Sequence, residues 1–291
     1  MHKFLRSIGF SGLTKIKDLE ELLKEVVCSY DEKVAMDSHP DCHFAEFSKN
    51  YGCDCGITVC GVYDENNQFH IAYYFPFFRG TGITTQEQLI IDRHASRESY
   101  AGICDDVRIG VTLIFYIQNA GEYLNRLGKN IFSVENLSVS LSGLACEGRI
   151  LLPVKKDKEQ VRIEQEAARN RNHLIAEARK GDEEAMESLT IDDIDTYSMI
   201  SRRIETEDIF TIVDSYFMPH GIECDQYNIM GEIIECAESQ NSMTGEEICY
   251  MTVECNDMQF DLCINKKDLL GEPQKGRRFK GTVWLQGELY F

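Results

Sequence analysis

The chain has 291 residues, 43% hydrophobic and 27% charged, enough for one large or two modest domains with real cores. With 49 acidic against 30 basic side chains the formal net charge is −19, which repels phosphate backbones at long range and disfavours nucleic acid as a partner. No apolar run approaches the ~18–20 residues of a membrane span, and MHKFLRSIGFSGLTK lacks a signal peptide's continuous apolar core. A cytoplasmic protein with no membrane contact is expected, its 12 cysteines held as reduced thiols.

Residues 17–28 (KDLEELLKEVVC) predict an amphipathic helix with Leu19, Leu22, Leu23, Val26 and Val27 on one face. Next come His39, Cys42, His43, Cys53 and Cys55, a candidate metal cluster. The first three have plausible zinc spacing, and alternate positions on a strand face the same way. Cys53 and Cys55, however, have a single residue between them, fewer than a zinc knuckle uses. Unrelated loop histidines and half-buried thiols are the preferred reading, and no cofactor is expected.

The β-rich runs 53–63 and 68–78 flank Asp64-Glu65-Asn66-Asn67 and predict a hairpin. Arg79-Gly80-Thr81-Gly82 lacks the remaining residues of a dinucleotide fingerprint or a P-loop and reads as a bend. In 107–119, Val107, Ile109, Val111, Leu113, Phe115 and Ile117 share a face, which predicts a long strand followed by a short helix near 121–127. Residues 137–145 alternate against serines as a half-exposed strand, and 149–154 form another after Gly148. Hairpins in succession with few helices point to an antiparallel α+β domain over 1–155.

A polar connector, 156–207, separates this half from the rest. Residues 157–180 are strong helix formers without Pro or Gly, carrying a thin stripe of Val161, Ala167, Ala168, Leu174, Ile175 and Ala178. Such a helix is mostly solvated, or packs on one neighbour or on a second copy of itself. Gly181 suits a left-handed cap, and Asp182 caps a second short helix. Thr190 with Asp193 predicts the start of a third, ending at Arg202 and Arg203.

In 208–291, residues 208–219 fit either a short helix or a covered strand. Strands are predicted at 227–236, 248–255, 258–264 and 279–285, with turns at 241–245 and Asn256-Asp257 and a loop over KKDLLGEPQKG. This suits a small closed β-barrel of the OB or SH3-like kind. All the basic residues of the segment, Lys266, Lys267, Lys275, Arg277, Arg278 and Lys280, cluster beside Phe279 and Trp284, the single Trp of the chain. A basic stripe with aromatics is how barrels hold single-stranded nucleic acid. With 15 acidic residues in the same segment, docking onto the acidic connector or onto a protein is the preferred reading.

No H-E-x-x-H, G-x-S-x-G, C-x-x-C, Walker or kinase signature is present. Several long stretches nevertheless carry a resemblance: MHKFLRSIGF, ARKGDEEAMESLTIDDIDTYS, MPHGIECDQYNIMGEI, FDLCINKKDLLGEP and GRRFKGTVWLQGEL. On these the chain resembles a family of uncharacterised proteins of about this length from Clostridia, within the Firmicutes. The resemblance covers nearly all residues and implies a cytoplasmic bacterial protein. It brings no activity, cofactor or catalytic residue.

The combined expectation is a non-catalytic interaction or adaptor protein, with a homodimer through the connector helix as one form of it. One alternative is an enzyme or small-ligand sensor with its site between the two β domains. Another is a single-stranded nucleic-acid-binding barrel using the basic stripe.

Overall fold

The computed structural model of the chain describes all residues except 40–41, 95–98, 107, 129–136 and 155–157. It opens with a short 3₁₀ helix (Lys3–Ile8) and α1 (Ile16–Cys28), which is the expected amphipathic helix and buries Leu19, Leu22, Leu23 and Val26. These pack with an antiparallel meander of β1 (Glu32–His39), β2 (Cys42–Gly52), β3 (Cys55–Tyr63) and β4 (Phe69–Phe78). Local chemistry makes its turns. Cys53 and Asp54 both take positive φ, at 42° and 57°, in the two-residue connection from β2 to β3. At the expected second hairpin, the Asp64 carboxylate accepts from the Asn66 and Gln68 N–H groups and Asn67 sits at φ 60°.

Three short strands follow, β5 (Leu89–Arg93), β6 (Tyr100–Cys104) and β7 (Leu113–Ile117), and then α2 (Ala120–Gly128). The strand expected over 107–119 is therefore confined to its second half. Residue 107 lies outside the described residues. Beyond it the Asp106 carboxylate accepts from the Arg108 N–H and side chain, and Gly110 takes φ 74°. A turn built on these contacts wins over the alternation of Ile109 and Val111.

The remaining strands build a closed five-stranded barrel. Its staves are β8 (Ser138–Leu151), β10 (Glu223–Gln240), β11 (Glu247–Cys255), β12 (Met258–Asn265) and β14 (Arg278–Tyr290). Between the first two run α3 (Lys158–Arg179), α4 (Glu183–Ile204), α5 (Ile209–Ile212) and β9 (Tyr216–His220). Strands β10, β11 and β12 form a meander, β14 pairs antiparallel with both β10 and β8, and β8 closes the circle by running parallel to β12. The small β13 (Leu269–Leu270) lies beside β8, and β9 lies beside β10. The far end of β14 pairs in parallel with β7, so β7, β6 and β5 extend the barrel wall as a ribbon.

Stave β8 lies in the 1–155 segment, whereas its partners β12 and β14 lie in 208–291. The helical connector thus departs from the barrel after its first stave and returns to its second. Nor does β8 break at Gly148, as the sequence suggests. A Cβ there would lie 2.4 Å from the Phe279 ring, so the glycine serves a close ring-on-backbone contact within a continuous strand. The ambiguous 208–219 resolves into both of its options, with Asp208 capping α5 and β9 following.

Tyr227, Ile229, Ile233, Met251, Val253, Leu262, Phe279 and Val283 belong to the barrel core. A second core joins the meander, α1 and the 3₁₀ helix to the outside of the barrel at Leu144, Ile248, Cys263 and Trp284. Burying each such side chain contributes about 1.5–3 kcal/mol, so the two sheets are held together by apolar burial. At the other end of the meander Glu46, 5% exposed, accepts from the Gly121 N–H in the first turn of α2.

Candidate functional site

The connector folds into a two-helix hairpin. Gly181 takes the left-handed conformation, φ 93°, as its position predicts. The Asp182 carboxylate accepts from the Glu184 and Ala185 N–H groups and so starts α4. Thr190 does not start a further helix: α4 passes through it, and its Oγ1 donates to the Met186 carbonyl instead. The two helices are tied by an Arg171–Asp193 ion pair of 2.8 Å.

Arg278, at the first position of β14, fastens the roots of this hairpin. It is 6% exposed and donates to three backbone carbonyls, Leu152 at 3.1 Å, Val213 at 3.0 Å and Phe210 at 2.7 Å. Leu152 ends the chain's path into the connector, and the other two end its path out. Burial pulls the guanidinium pKa down, while Asp214 opposes this. Lys280 reinforces the root with its ammonium 4.2 Å from the centre of the Phe210 ring.

Beyond its roots the hairpin is open to solvent. Residues 190–199 of α4 are all exposed. Ala185 is buried, and Leu189, Ile200 and Arg203 are half-buried, which marks the side turned toward α3. On the adjacent face Met186, Thr190, Ile194, Tyr197, Ser201 and Ile204 recur at spacings of four or three residues, forming one stripe. Its apolar members are exposed by 44% (Met186), 60% (Ile194), 75% (Tyr197) and 47% (Ile204). Apolar side chains in one stripe are what a helix normally buries. In the sequence this face is hidden, because Thr190 with Asp193 has the composition of a helix start and divides the stripe in two.

A cavity of about 670 Å³ lies between α3 and the end of the barrel. Arg108, Arg171 and Arg278 reach its lining, and so do Asp214, Glu232, Glu254 and Asp257. The arginines are already engaged: Arg108 with Asp106 and the Thr84 carbonyl, Arg171 with Asp193, and Arg278 with its three carbonyls. Burial raises the Asp106 pKa, but the Arg108 hydrogen bonds outweigh it and hold the carboxylate below its ordinary range.

The basic stripe of the barrel is distributed among internal partners. Lys266 pairs with Glu238 at 2.8 Å and with Glu247 at 3.3 Å, and Lys267 pairs with Glu246 at 2.8 Å. Arg277 donates to the Glu272 carbonyl, and Lys275 is exposed. Trp284 is 5% exposed, stacks on Phe4 at 5.4 Å and donates its Nε1–H to Asp225. These side chains do not converge on one open face.

The candidate metal residues are also separated. The side chains of His39, Cys42 and His43 lie outside the described residues. Their backbone is at the β1–β2 end of β2, where His39 pairs with Cys42, whereas Cys53 and Cys55 lie at the opposite end. An 11-residue strand separates the two groups by roughly 30 Å, too far for one ion. Cys53 is exposed in the turn and does not share a strand face with Cys55, which is buried and donates to the Gly52 carbonyl. Among the described residues no cluster of three or more His, Cys, Asp or Glu could hold a metal. No helix among them is long and apolar enough to cross a membrane.

A family model described as "Domain of unknown function, E. rectale Gene description (DUF3881)" matches residues 5–287. The chain belongs to the DUF3881 family. The match takes in both sheets and the whole α3–α4 hairpin, so the hairpin lies within the family domain. Comparison with the curated proteins and with the solved structures gives no match.

Proposed function

We propose that this DUF3881 protein is a non-catalytic protein-interaction module. Its two sheets form the body, and the α3–α4 hairpin presents the contact surface. The observation that carries this reading is the apolar stripe Met186, Ile194, Tyr197 and Ile204, left 44–75% exposed along one helix. Full burial of such side chains is worth about 1.5–3 kcal/mol each, and apolar side chains left exposed together on one helix face mark an interaction surface. The Arg278 clamp supports it further, because a hairpin fastened at both roots presents its free face in a defined direction.

The barrel, in this reading, is OB-like with its strands in circularly shifted order. The meander β10–β11–β12 is followed by β14, and the strand parallel to the end of the meander, β8, comes first in the chain. Its outer face at Leu144, Ile248, Cys263 and Trp284 is covered by the N-terminal meander and 3₁₀ helix. That supports a scaffold role for the barrel over single-strand binding, which needs open aromatic platforms.

The test is native mass spectrometry of the full chain recovered from its own cells, beside the Ile194→Glu/Tyr197→Glu variant. The wild type is expected to carry a second polypeptide and the variant to lose it. A bare chain in both samples, or one holding only a small organic molecule, would overturn the reading.

A further inference from the structure

We propose that a groove on the outer wall of the barrel, between β9 and β13, binds a small phosphorylated sugar or polyol, with its phosphate held between Arg149 and Lys280. None of the residues lining the groove belongs to the α4 stripe, so the site is independent of the interaction reading.

The groove has a volume of about 470 Å³, within the range of small-molecule sites. Strands β8 and β14 make its floor, and Tyr216 of β9 and Leu270 of β13 stand at its two sides. Phe279 points into the barrel core, so the next residue, Lys280, faces the outer wall. There the register sets Lys280 directly opposite Arg149. Like charges facing each other across an antiparallel pair repel and weaken the sheet.

Nothing within the described residues relieves this repulsion. Neither cation forms an ion pair there, and the partner of Lys280 is the Phe210 ring. Compensation is the rule nearby: Lys266 pairs with Glu238, Lys267 with Glu246, and Arg6 with Asp268 at the border of the same groove. In a chain with 49 acidic against 30 basic residues, two facing cations left without a carboxylate call for an anion from outside.

The rest of the lining narrows the class. Two adjacent positive charges match a phosphate monoester, which carries close to two negative charges at neutral pH, whereas a carboxylate would answer only one of them. The guanidinium can take two phosphate oxygens in parallel, with the ammonium as a point charge beside them. Next to this pair in the register stand Thr282 and Glu147. The Glu147 carboxylate repels a second anionic group but accepts from hydroxyls. Thr282 Oγ1 donates to Asn228 Oδ1 at 2.8 Å, which leaves the Asn228 Nδ2 group as a donor in the groove. The Asp268 carboxylate is taken up by Arg6 through both of its oxygens. The lining therefore suits a molecule with one phosphate end and a neutral, hydroxyl-bearing body. The net charge of −19 repels nucleic-acid backbones and so favours a small ligand over a polymer.

Isothermal titration calorimetry of the full chain at low ionic strength tests this with inorganic phosphate, glucose 6-phosphate, gluconate and glucose as probes. Both phosphates should bind saturably at one shared site, glucose 6-phosphate more tightly, and glucose should not bind. Arg149→Gln should weaken both phosphates by about tenfold or more, because it removes a charge-assisted contact. Arg149 is exposed, so the thermal unfolding of this variant should match the wild type, whereas Lys280→Gln would also disturb Phe210. Failure of both phosphates to bind saturably at millimolar concentration would overturn the site. Binding that Arg149→Gln leaves unchanged would overturn it too. Gluconate bound as tightly as glucose 6-phosphate would refute the phosphate assignment.

Discussion

Replacing Glu46 with Gln should stabilise this protein above neutral pH and leave it nearly unchanged in mild acid. Glu46 is 5% exposed on β2, beside Cys60 and Tyr73 of the same sheet and the Gly121 N–H of α2. Burial pushes its pKa up from 4.5 to about 7, and the hydrogen bond from Gly121 only partly offsets this. As pH rises from 4.5 to 7, the unfolded chain therefore releases a proton that the native state retains. Native stability falls across that window, and the loss is complete once pH exceeds the folded pKa. A difference of about 2.5 pH units at 1.36 kcal/mol each amounts to about 3 kcal/mol. Gln cannot ionise, and its amide oxygen can still accept from Gly121. Urea unfolding of both proteins at about pH 5 and about pH 8.5 reads the effect directly. The variant should gain about 3 kcal/mol over wild type at the higher pH, with little difference at the lower. Equal pH slopes for the two proteins would refute the assignment of this window to Glu46.

Three further perturbations bear on other parts of the account. Arg278→Met leaves the carbonyls of Leu152, Phe210 and Val213 without their donor and should cost about 3 kcal/mol. Amide exchange across α5 should accelerate with it, and unchanged exchange there would argue against the clamp. Asp182→Ala removes the acceptor of two α4 N–H groups and should cost about 1 kcal/mol, seen as lost helicity on mild heating while the barrel stays folded. Burial pushes the Glu246 carboxyl up, but hydrogen bonds from Lys267, Ser11 and Asn265 outweigh it and hold the pKa down at about 2. Its contribution is therefore present above about pH 4.5 and lost as pH falls toward 2. Glu246→Gln should cost about 2 kcal/mol at neutral pH, after discounting for the exposed Lys267, and should flatten acid unfolding.

What could be read in the chain beforehand was local. The Asp64–Asn67 and Asn256-Asp257 turns, the apolar face of α1, Gly181 and the Asp182 cap all depend on residues a few positions apart, and each is formed. Barrel closure is different in kind. Ser138 pairs with Tyr290 and Leu151 with Arg278, and nothing in the alternation of β8 says which distant strand will accept it. Gly148 looked like a break because its reason, the Phe279 ring, is more than 100 residues away in the chain. Trp284 looked like part of an open binding face for the same reason: Phe4, from the far end of the chain, covers it. The paired lysines repeat the lesson, since Glu238 and Glu247 reach Lys266 from β10 and β11. On α4 the failure was local instead. A Thr190–Asp193 pair has the composition of a helix start, but Thr190 bonds backward to Met186 within an unbroken helix.

The measurement that bears most directly on the central claim is photo-crosslinking inside the cell from position 197, the most exposed apolar site on α4. A photoreactive phenylalanine analogue replaces Tyr197 in one sample and the exposed Lys275 in a control. The account predicts a discrete polypeptide adduct from position 197 and none from position 275. Solvent-quenched label at both positions would mean that the stripe faces water in the cell, and the hairpin would then not be an interaction surface.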